Sequence, residues 1–248
     1  MRPRDLNANW IGNRICLSVP ARGVEDSKLI WDYFAGCAIP SILAADHAPD
    51  RLKSLISEIH AVVPVVSVAL GNSGDATQWD KALLAVDGNQ VHLNQPATQS
   101  GYAVGYTASK GWNVWVNGVV EPAGTPGLVR IPWIHTSPDH GIIPVDTVAA
   151  WFTETGTTAL KIHPVGKASY EELVSIAKAA ADNGIEAVEP AGGITAENFH
   201  FVVGALFDGG AKYVLPHIFS AVEDKETHEV SVDKIETFVE MCTVYETP

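Results

Sequence analysis

Short apolar runs rich in β-branched residues alternate along this chain with segments whose apolar positions recur at the helical period. Eight runs read as strands: Ile15–Ala21, Cys37–Ile42, Val65–Leu70, Gln90–Gln95, Asn113–Val120, Ala159–Pro164, Glu186–Gly192 and Lys212–Ser220. Strands that alternate with helical segments build βα units around a parallel sheet. The chain has 248 residues, and a closed barrel of eight such units takes roughly 250. The α/β pattern therefore predicts one (β/α)8 TIM barrel domain over residues 1–248, although length alone would allow two domains.

The helix after the sixth strand is the best marked. Ser169 and Glu172 have the spacing of a capping box, and Leu173, Ile176, Ala177 and Ala180 share one face. The next helix is expected after Thr195, with Phe199, Val202, Val203 and Leu206 turned inward. The last begins near Ser231 and carries Ile235, Phe238, Val239 and Cys242. Residues 97–111 show a weaker pattern and predict a short or distorted helix. The longest irregular stretch, Glu121–Pro144, is rich in Pro and Gly and follows the fifth strand. It reads either as a loop over the catalytic face or as an insertion packed on a neighbouring subunit.

Composition narrows the class. Hydrophobic residues make up 46% and charged residues 18%, enough apolar material for a large core. The net charge of −13 repels nucleic acid and anionic membrane, so neither is expected as a partner. An anionic small molecule needs local cations or backbone N–H groups. Cys16, Cys37 and Cys242 fit no zinc or redox spacing and read as free thiols in a reducing, cytoplasmic compartment. The N-terminus lacks the apolar segment of a signal peptide, and no apolar run approaches the ~18 residues of a membrane span. Seven tryptophans and the long loop are compatible with a homo-oligomer.

Barrel active sites sit at the C-terminal ends of the strands. That rule sets aside Arg14 and Lys212, at strand starts, as stabilising residues. Lys161 lies in ALKIHP, where it shares a face with His163 while Leu160 and Ile162 share the other. If the aliphatic pair packs on helices, Lys161 points into the barrel. Desolvation then lowers its pKa and leaves a nucleophilic amine able to form a Schiff base with a ketone. The alternative is a structural lysine paired with a barrel carboxylate. Glu189, on the neighbouring strand, fits either a general acid/base or that partner. Gly192 and Gly193, ahead of a helix capped by Thr195, form either an anion site or a plain tight turn.

Asp75, His92, Asn94, Asn117, His217 and Ser220 stand near strand ends, able to orient a substrate or to serve as structural polar groups. Arg22, then Arg130, are the candidate cations for a substrate carboxylate, or else surface arginines. His92, His163 and His217 come from separate strands without a metal-binding spacing, and a lysine among them disfavours a cation. No metal and no cofactor is expected.

These pieces together resemble a known family. They run as Val66-Ser67-Val68-Ala69-Leu70-Gly71, Gly74-Asp75, Gln78-Trp79, His92-Leu93-Asn94-Gln95 and Val116-Asn117-Gly118. They continue as Lys161-Ile162-His163-Pro164, Glu189-Pro190-Ala191-Gly192-Gly193-Ile194, Asn198-Phe199 and Pro216-His217. The order and spacing are similar to those of the barrel-shaped, metal-independent 2-dehydro-3-deoxyphosphogluconate and 4-hydroxy-2-oxoglutarate aldolases, from about Arg14 to Met241. The resemblance implies that Lys161 is the Schiff-base lysine, that Gly192 and Gly193 hold a phosphate, and that Glu189 and His217 belong to the site. Three positions depart from the family pattern. Ile162 and His163 replace an aromatic pair, Ala191 replaces a threonine, and Ile218–Glu223 replaces a segment with a tyrosine and two serines.

The implied activity is cleavage of a 2-keto-3-deoxy sugar acid, 6-phosphorylated, to pyruvate and an aldehyde such as glyceraldehyde 3-phosphate. Two other readings stay open on the residues alone. One is a phosphate-binding epimerase or isomerase in which Lys161 acts only electrostatically, and the other is a non-catalytic ligand-binding barrel.

Overall fold

The structure is a computed structural model and describes residues 5–132, 141–224, 226–227 and 229–245. Eight parallel strands follow one another in chain order: β1 (Leu17–Pro20), β2 (Ala38–Leu43), β3 (Val66–Ala69), β4 (Val91–Pro96), β5 (Trp115–Pro122), β8 (Ala159–Ile162), β9 (Ala187–Pro190) and β10 (Tyr213–Val214). The ring closes because Ser18 N donates to Pro216 O at 2.9 Å and Ile218 N to Ser18 O at 3.1 Å. The (β/α)8 barrel expected from the alternation is the fold observed.

Strand alternation sorts the side chains into two cores. Leu160 and Ile162 turn outward and join the large apolar layer beneath the helices, with Val66, Val68, Leu93 and Val116. Inside the barrel, a lower layer is apolar: Cys16, Ile39, Val65, Trp115, Ala159, Ala187 and Leu215. Above it, towards the C-terminal ends, the buried residues are polar: Ser41, Ser67, His92, Asn94, Asn117, Lys161, Glu189 and His217. Register brings them together, with Asn94 opposite Asn117 and Lys161 opposite Glu189. Burying so many polar groups is tolerable only if they satisfy one another.

The helices are α1 (Val24–Tyr33), α2 (Pro49–His60), α3 (Trp79–Ala85), α4 (Ala97–Ser109), α5 (Val145–Thr155), α6 (Tyr170–Asp182), α7 (Phe199–Asp208), α8 (Phe219–Val222) and α9 (Val232–Cys242). The capping box of α6 is formed: Ser169 Oγ accepts from Glu172 N, and Glu172 Oε2 accepts from Ser169 N at 3.0 Å. Ser231 caps α9. Helix α7 starts later than expected, because the Asn198 side chain accepts from Thr195 N at 2.8 Å and donates to Gly193 O, closing a turn first.

Two expectations are corrected. Residues 97–111 contain a regular helix, α4, of 13 residues. Its buried face is Ala97, Ser100, Ala103 and Thr107, small residues whose hydroxyls bond to their own helix's carbonyls, so the hydrophobic signal is faint. The stretch Glu121–Pro144 is not simply irregular. Strand β6 (Leu128–Arg130) pairs antiparallel with the end of β5, and β7 (Ile142–Pro144) pairs with β6. This extension docks on α6, where Gly124 N donates to Glu172 Oε1 at 2.7 Å and Gly127 N to Ser175 Oγ at 2.8 Å. Residues 133–140 lie outside the described residues. No helix of the described residues is long and apolar enough to cross a membrane.

Candidate active site

A cavity of about 300 Å³ opens at the C-terminal ends of the strands. Asn94, Lys161, His163, Gly192 and His217 line it, together with Leu43, Val119 and Phe219 and the turn Gly71–Gly74. Lys161, only 7% exposed, presents its amine to this space. Its Nζ donates to Asn94 Oδ1 at 2.5 Å and faces His217 Nδ1 at 3.1 Å.

The groups behind the lysine form one directed network. Glu189 is fully buried, and its oxygens accept from Trp115 Nε1 at 2.6 Å and Asn117 Nδ2 at 2.6 Å. They also accept from His92 Nε2 and His217 Nε2, each at 3.0 Å. A carboxylate surrounded only by donors is ionised. Burial alone would raise the Glu189 carboxyl, but His92 and His217 hold it well below the usual carboxylate range. With Nε2 of His217 donating to Glu189, the neutral ring leaves Nδ1 as an acceptor for the Lys161 ammonium. His92 Nδ1 lies 2.8 Å from Ser67 Oγ, and Ser41 Oγ lies 3.0 Å from Ser67 Oγ. Asn94 is fixed by donating to Val68 O at 2.9 Å and accepting from Asn117 Nδ2 at 2.9 Å.

The electrostatics follow from burial. Desolvation pushes the Lys161 ammonium down to about 8, against the pull of the Glu189 charge. Burial, and then the Lys161 charge, bring His217 to about 3, so its ring is neutral. Burial and then Lys161 also lower His163 to about 4. The site therefore holds an amine that deprotonates near pH 8 beside a neutral imidazole whose Nδ1 accepts its hydrogen bond.

The sequence candidates divide into three groups. Lys161, Asn94, His217, Gly192 and Ser220 line the cavity. Glu189, His92 and Asn117 lie behind it and reach it only through His217, Asn94 and Lys161. Glu189 is therefore neither an exposed base nor a direct ion partner of the lysine, since His217 stands between them. Arg22, Arg130, Asp75 and Gly193 do not line the cavity. Arg22 is tied to Asp26 in the first turn of α1 at 2.9 Å. Arg130 sits opposite Glu121 in the β5–β6 register, 3.9 Å away. The Asp75 carboxylate accepts from Thr77 N, Thr77 Oγ1 and Gln78 Nε2 and caps its own turn.

The Gly192–Gly193 turn has a packing reason that requires no anion. Both residues have positive φ. A Cβ on Gly192 would lie 2.7 Å from the His163 ring, and one on Gly193 would lie 2.8 Å from Gly166 Cα. Trp115, Ser67 and Ser41 take part in the network but were not among the sequence candidates. Their inward register within apolar strands was the available signal.

His92, Glu189 and His217 offer ligand atoms within 4.8 Å of one another. An ion on both Nε2 atoms would force the His217 proton onto Nδ1, facing Lys161. The amine would then have to accept rather than attack. The donor set thus suits a hydrogen-bonded carboxylate better than a metal beside a nucleophilic lysine.

Known proteins resemble this chain over most of its length. A family model described as KDGP aldolase matches residues 11–226. A 2-dehydro-3-deoxy-phosphogluconate aldolase from Salmonella typhimurium (strain 14028s / SGSC 2262) is 30% identical over 240 residues, covering 94% of this chain and 96% of the relative. Among solved structures, the carboxyl transferase domain (Y628A) of Rhizobium etli pyruvate carboxylase with pyruvate has a TM-score of 0.54 at 10% identity, covering 94% of this chain and 47% of that one. FabK (M276A) from Thermotoga maritima has a TM-score of 0.48 at 15% identity, covering 86% of this chain and 62% of that one. The chain spans less than two thirds of either structure, and the first of these likenesses speaks to the fold alone.

Proposed function

The chain belongs to the KDGP aldolase family and is a lyase, and we propose that it works as a class I aldolase through Lys161. The substrate is a 2-keto-3-deoxy sugar acid, and the products are pyruvate and an aldehyde. The observation that carries this reading is the Lys161 amine: buried, lowered to about 8, and facing a cavity at the strand ends.

Neutral Lys161 attacks the C2 carbonyl. The proton on the attacking nitrogen passes to the carbonyl oxygen, and a second proton from solvent in the open cavity lets that oxygen leave as water, while His217 Nδ1, 3.1 Å from the amine and held by Glu189 at 3.0 Å, positions the nitrogen. Loss of water gives an iminium. When the C3–C4 bond breaks, its electron pair moves into the iminium and leaves an enamine of pyruvate. The C4 hydroxyl loses its proton and becomes the aldehyde. Protonation at C3 and hydrolysis free pyruvate and regenerate Lys161. Asn94 fixes the amine before attack, and the Ser73 and Ser220 side chains are polar groups available to the substrate.

The relative's name supplies the phosphorylated substrate, which would give glyceraldehyde 3-phosphate. One observation favours the same reaction without phosphate. Among the described residues, Lys161 is the sole lysine or arginine lining the cavity, and Glu223 lines it as well. Measuring pyruvate release from 2-keto-3-deoxygluconate and from its 6-phosphate tests both points. Release from either that is abolished in Lys161→Met supports the reaction, and the ratio of kcat/KM decides on phosphate. No release from either overturns the assignment.

A further inference from the structure

Cleavage needs a group to remove the proton from O4, and Glu189, buried behind His217, cannot reach the cavity. Four titratable side chains among the described residues line that cavity: Lys161, His163, His217 and Glu223. Lys161 is the nucleophile of the proposed reaction. His217 has both ring nitrogens engaged, by Lys161 and Glu189. Glu223 also faces the open groove beside α9. His163 remains, one residue past the end of β8, lining the same cavity as Lys161 and two residues nearer the mouth, a displacement of roughly 7 Å.

The position of His163 is built. Gly74, from the turn after β3, comes so close that a Cβ there would lie 3.2 Å from His163 Nδ1. Gly192, from the turn after β9, would place a Cβ 2.7 Å from Nε2. Both glycines have positive φ, so two turns are shaped around this ring. No hydrogen bond is found for either ring nitrogen among the described residues. Buried polar groups are normally paired, so a half-buried imidazole fixed in a slot with neither nitrogen paired is left to bond a ligand.

We propose that His163 carries the proton between O4 and C3 of the substrate. The reading rests on the Schiff-base mechanism above. The neutral ring takes the O4 proton as the C3–C4 bond breaks, and O4 becomes the carbonyl oxygen of the departing aldehyde. The imidazolium then returns that proton to C3 of the enamine, giving the iminium of pyruvate, and the ring ends neutral as it began. With His163 lowered to about 4, the ring is neutral before cleavage and its conjugate acid is strong enough to protonate carbon.

The test compares wild type with His163→Phe, which keeps a ring of similar bulk, and His163→Asn, which keeps polarity without a proton shuttle. Three readouts are taken: borohydride trapping of pyruvate on Lys161, deuterium exchange into the pyruvate methyl group, and cleavage. The expected result is normal trapping in both variants, with exchange and cleavage each slowed by about 10²–10⁴-fold. Exchange near the wild-type rate in either variant overturns the shuttle. Loss of trapping in a variant that remains folded by circular dichroism also overturns it, by placing His163 in support of Lys161. A wild-type protein that traps no pyruvate removes the Schiff-base reading itself, so the two failures are distinct.

Discussion

Lys161 Nζ and His217 Nδ1 face each other at 3.1 Å, and the far side of the same imidazole holds Glu189 at 3.0 Å. The lysine thus feels the carboxylate through a neutral ring rather than by direct contact. A direct ion pair would hold the ammonium protonated and quench the amine. The interposed histidine offers the ammonium a neutral hydrogen-bond acceptor while Glu189 stays buried and ionised.

The first prediction concerns pH. Lys161 in the folded protein sits near 8, below the 10.5 of an ordinary lysine. The amine therefore exists above about pH 8 and the ammonium below it. The rate of Schiff-base formation with pyruvate, measured by single-turnover borohydride trapping, should rise with pH around a midpoint of about 8. A midpoint near 10.5 would show a lysine free of desolvation. The same shift makes burial of the ammonium costly by about 3 kcal/mol below pH 8, since one unit is worth about 1.4 kcal/mol. That cost fades as pH rises from about 8 to 10.5.

Glu189→Gln separates charge from shape. The Glu189 charge favours the Lys161 ammonium, so its removal should move the trapping midpoint below that of wild type. The variant should also lose about 1–3 kcal/mol of stability, because the donors around residue 189 lose a charged acceptor. Glu189 titrates below the usual carboxylate range, so its contribution is present above that range and lost as pH falls through the folded value. The stability gap between variant and wild type should close in acid, which urea titrations at several pH values would show. An unchanged midpoint would mean that Lys161 does not sense Glu189.

Much of this was legible in the sequence, for a physical reason. Alternation in ALKIHP placed Lys161 and His163 on one face, and the two-residue period of a strand leaves little freedom there. The capping box of α6 is local chemistry and could be read locally. Arg22 and Arg130 do not line the cavity, because proximity to a strand end in sequence does not say where a long side chain finds its partner. Asp26 lies 2.9 Å from Arg22, and Glu121 lies 3.9 Å from Arg130. The buried face of α4 was faint because Ala, Ser and Thr carry little hydrophobic contrast. The role of Trp115 needed the register of three strands, β5, β8 and β9, which no local pattern encodes.

Gly192 and Gly184 make a matched pair. Both have positive φ, at 74° and 83°. A Cβ on Gly184 meets nothing within 4 Å, whereas one on Gly192 lies 2.7 Å from the His163 ring and 3.1 Å from Pro164 Cα. Gly184→Ala should cost only the left-handed backbone penalty, about 1–2 kcal/mol, with activity intact. Gly192→Ala should add about 1–3 kcal/mol of overpacking and lower kcat by displacing His163. Equal effects of the two substitutions on Tm and kcat would contradict the packing role of Gly192.

Ser169→Ala removes one half of the capping box of α6, a helix that lies away from the cavity lining. Thermal unfolding should report a loss of about 1 kcal/mol, while kcat/KM stays at the wild-type value. A fall in activity without a fall in stability would reveal a link between α6 and the site that the contacts do not show.

The most direct test of the central claim is mass spectrometry of the protein after incubation with pyruvate and sodium borohydride. The account predicts a stable adduct on the peptide containing Lys161, absent from Lys161→Met. An unmodified protein, or an adduct on another lysine, would contradict it.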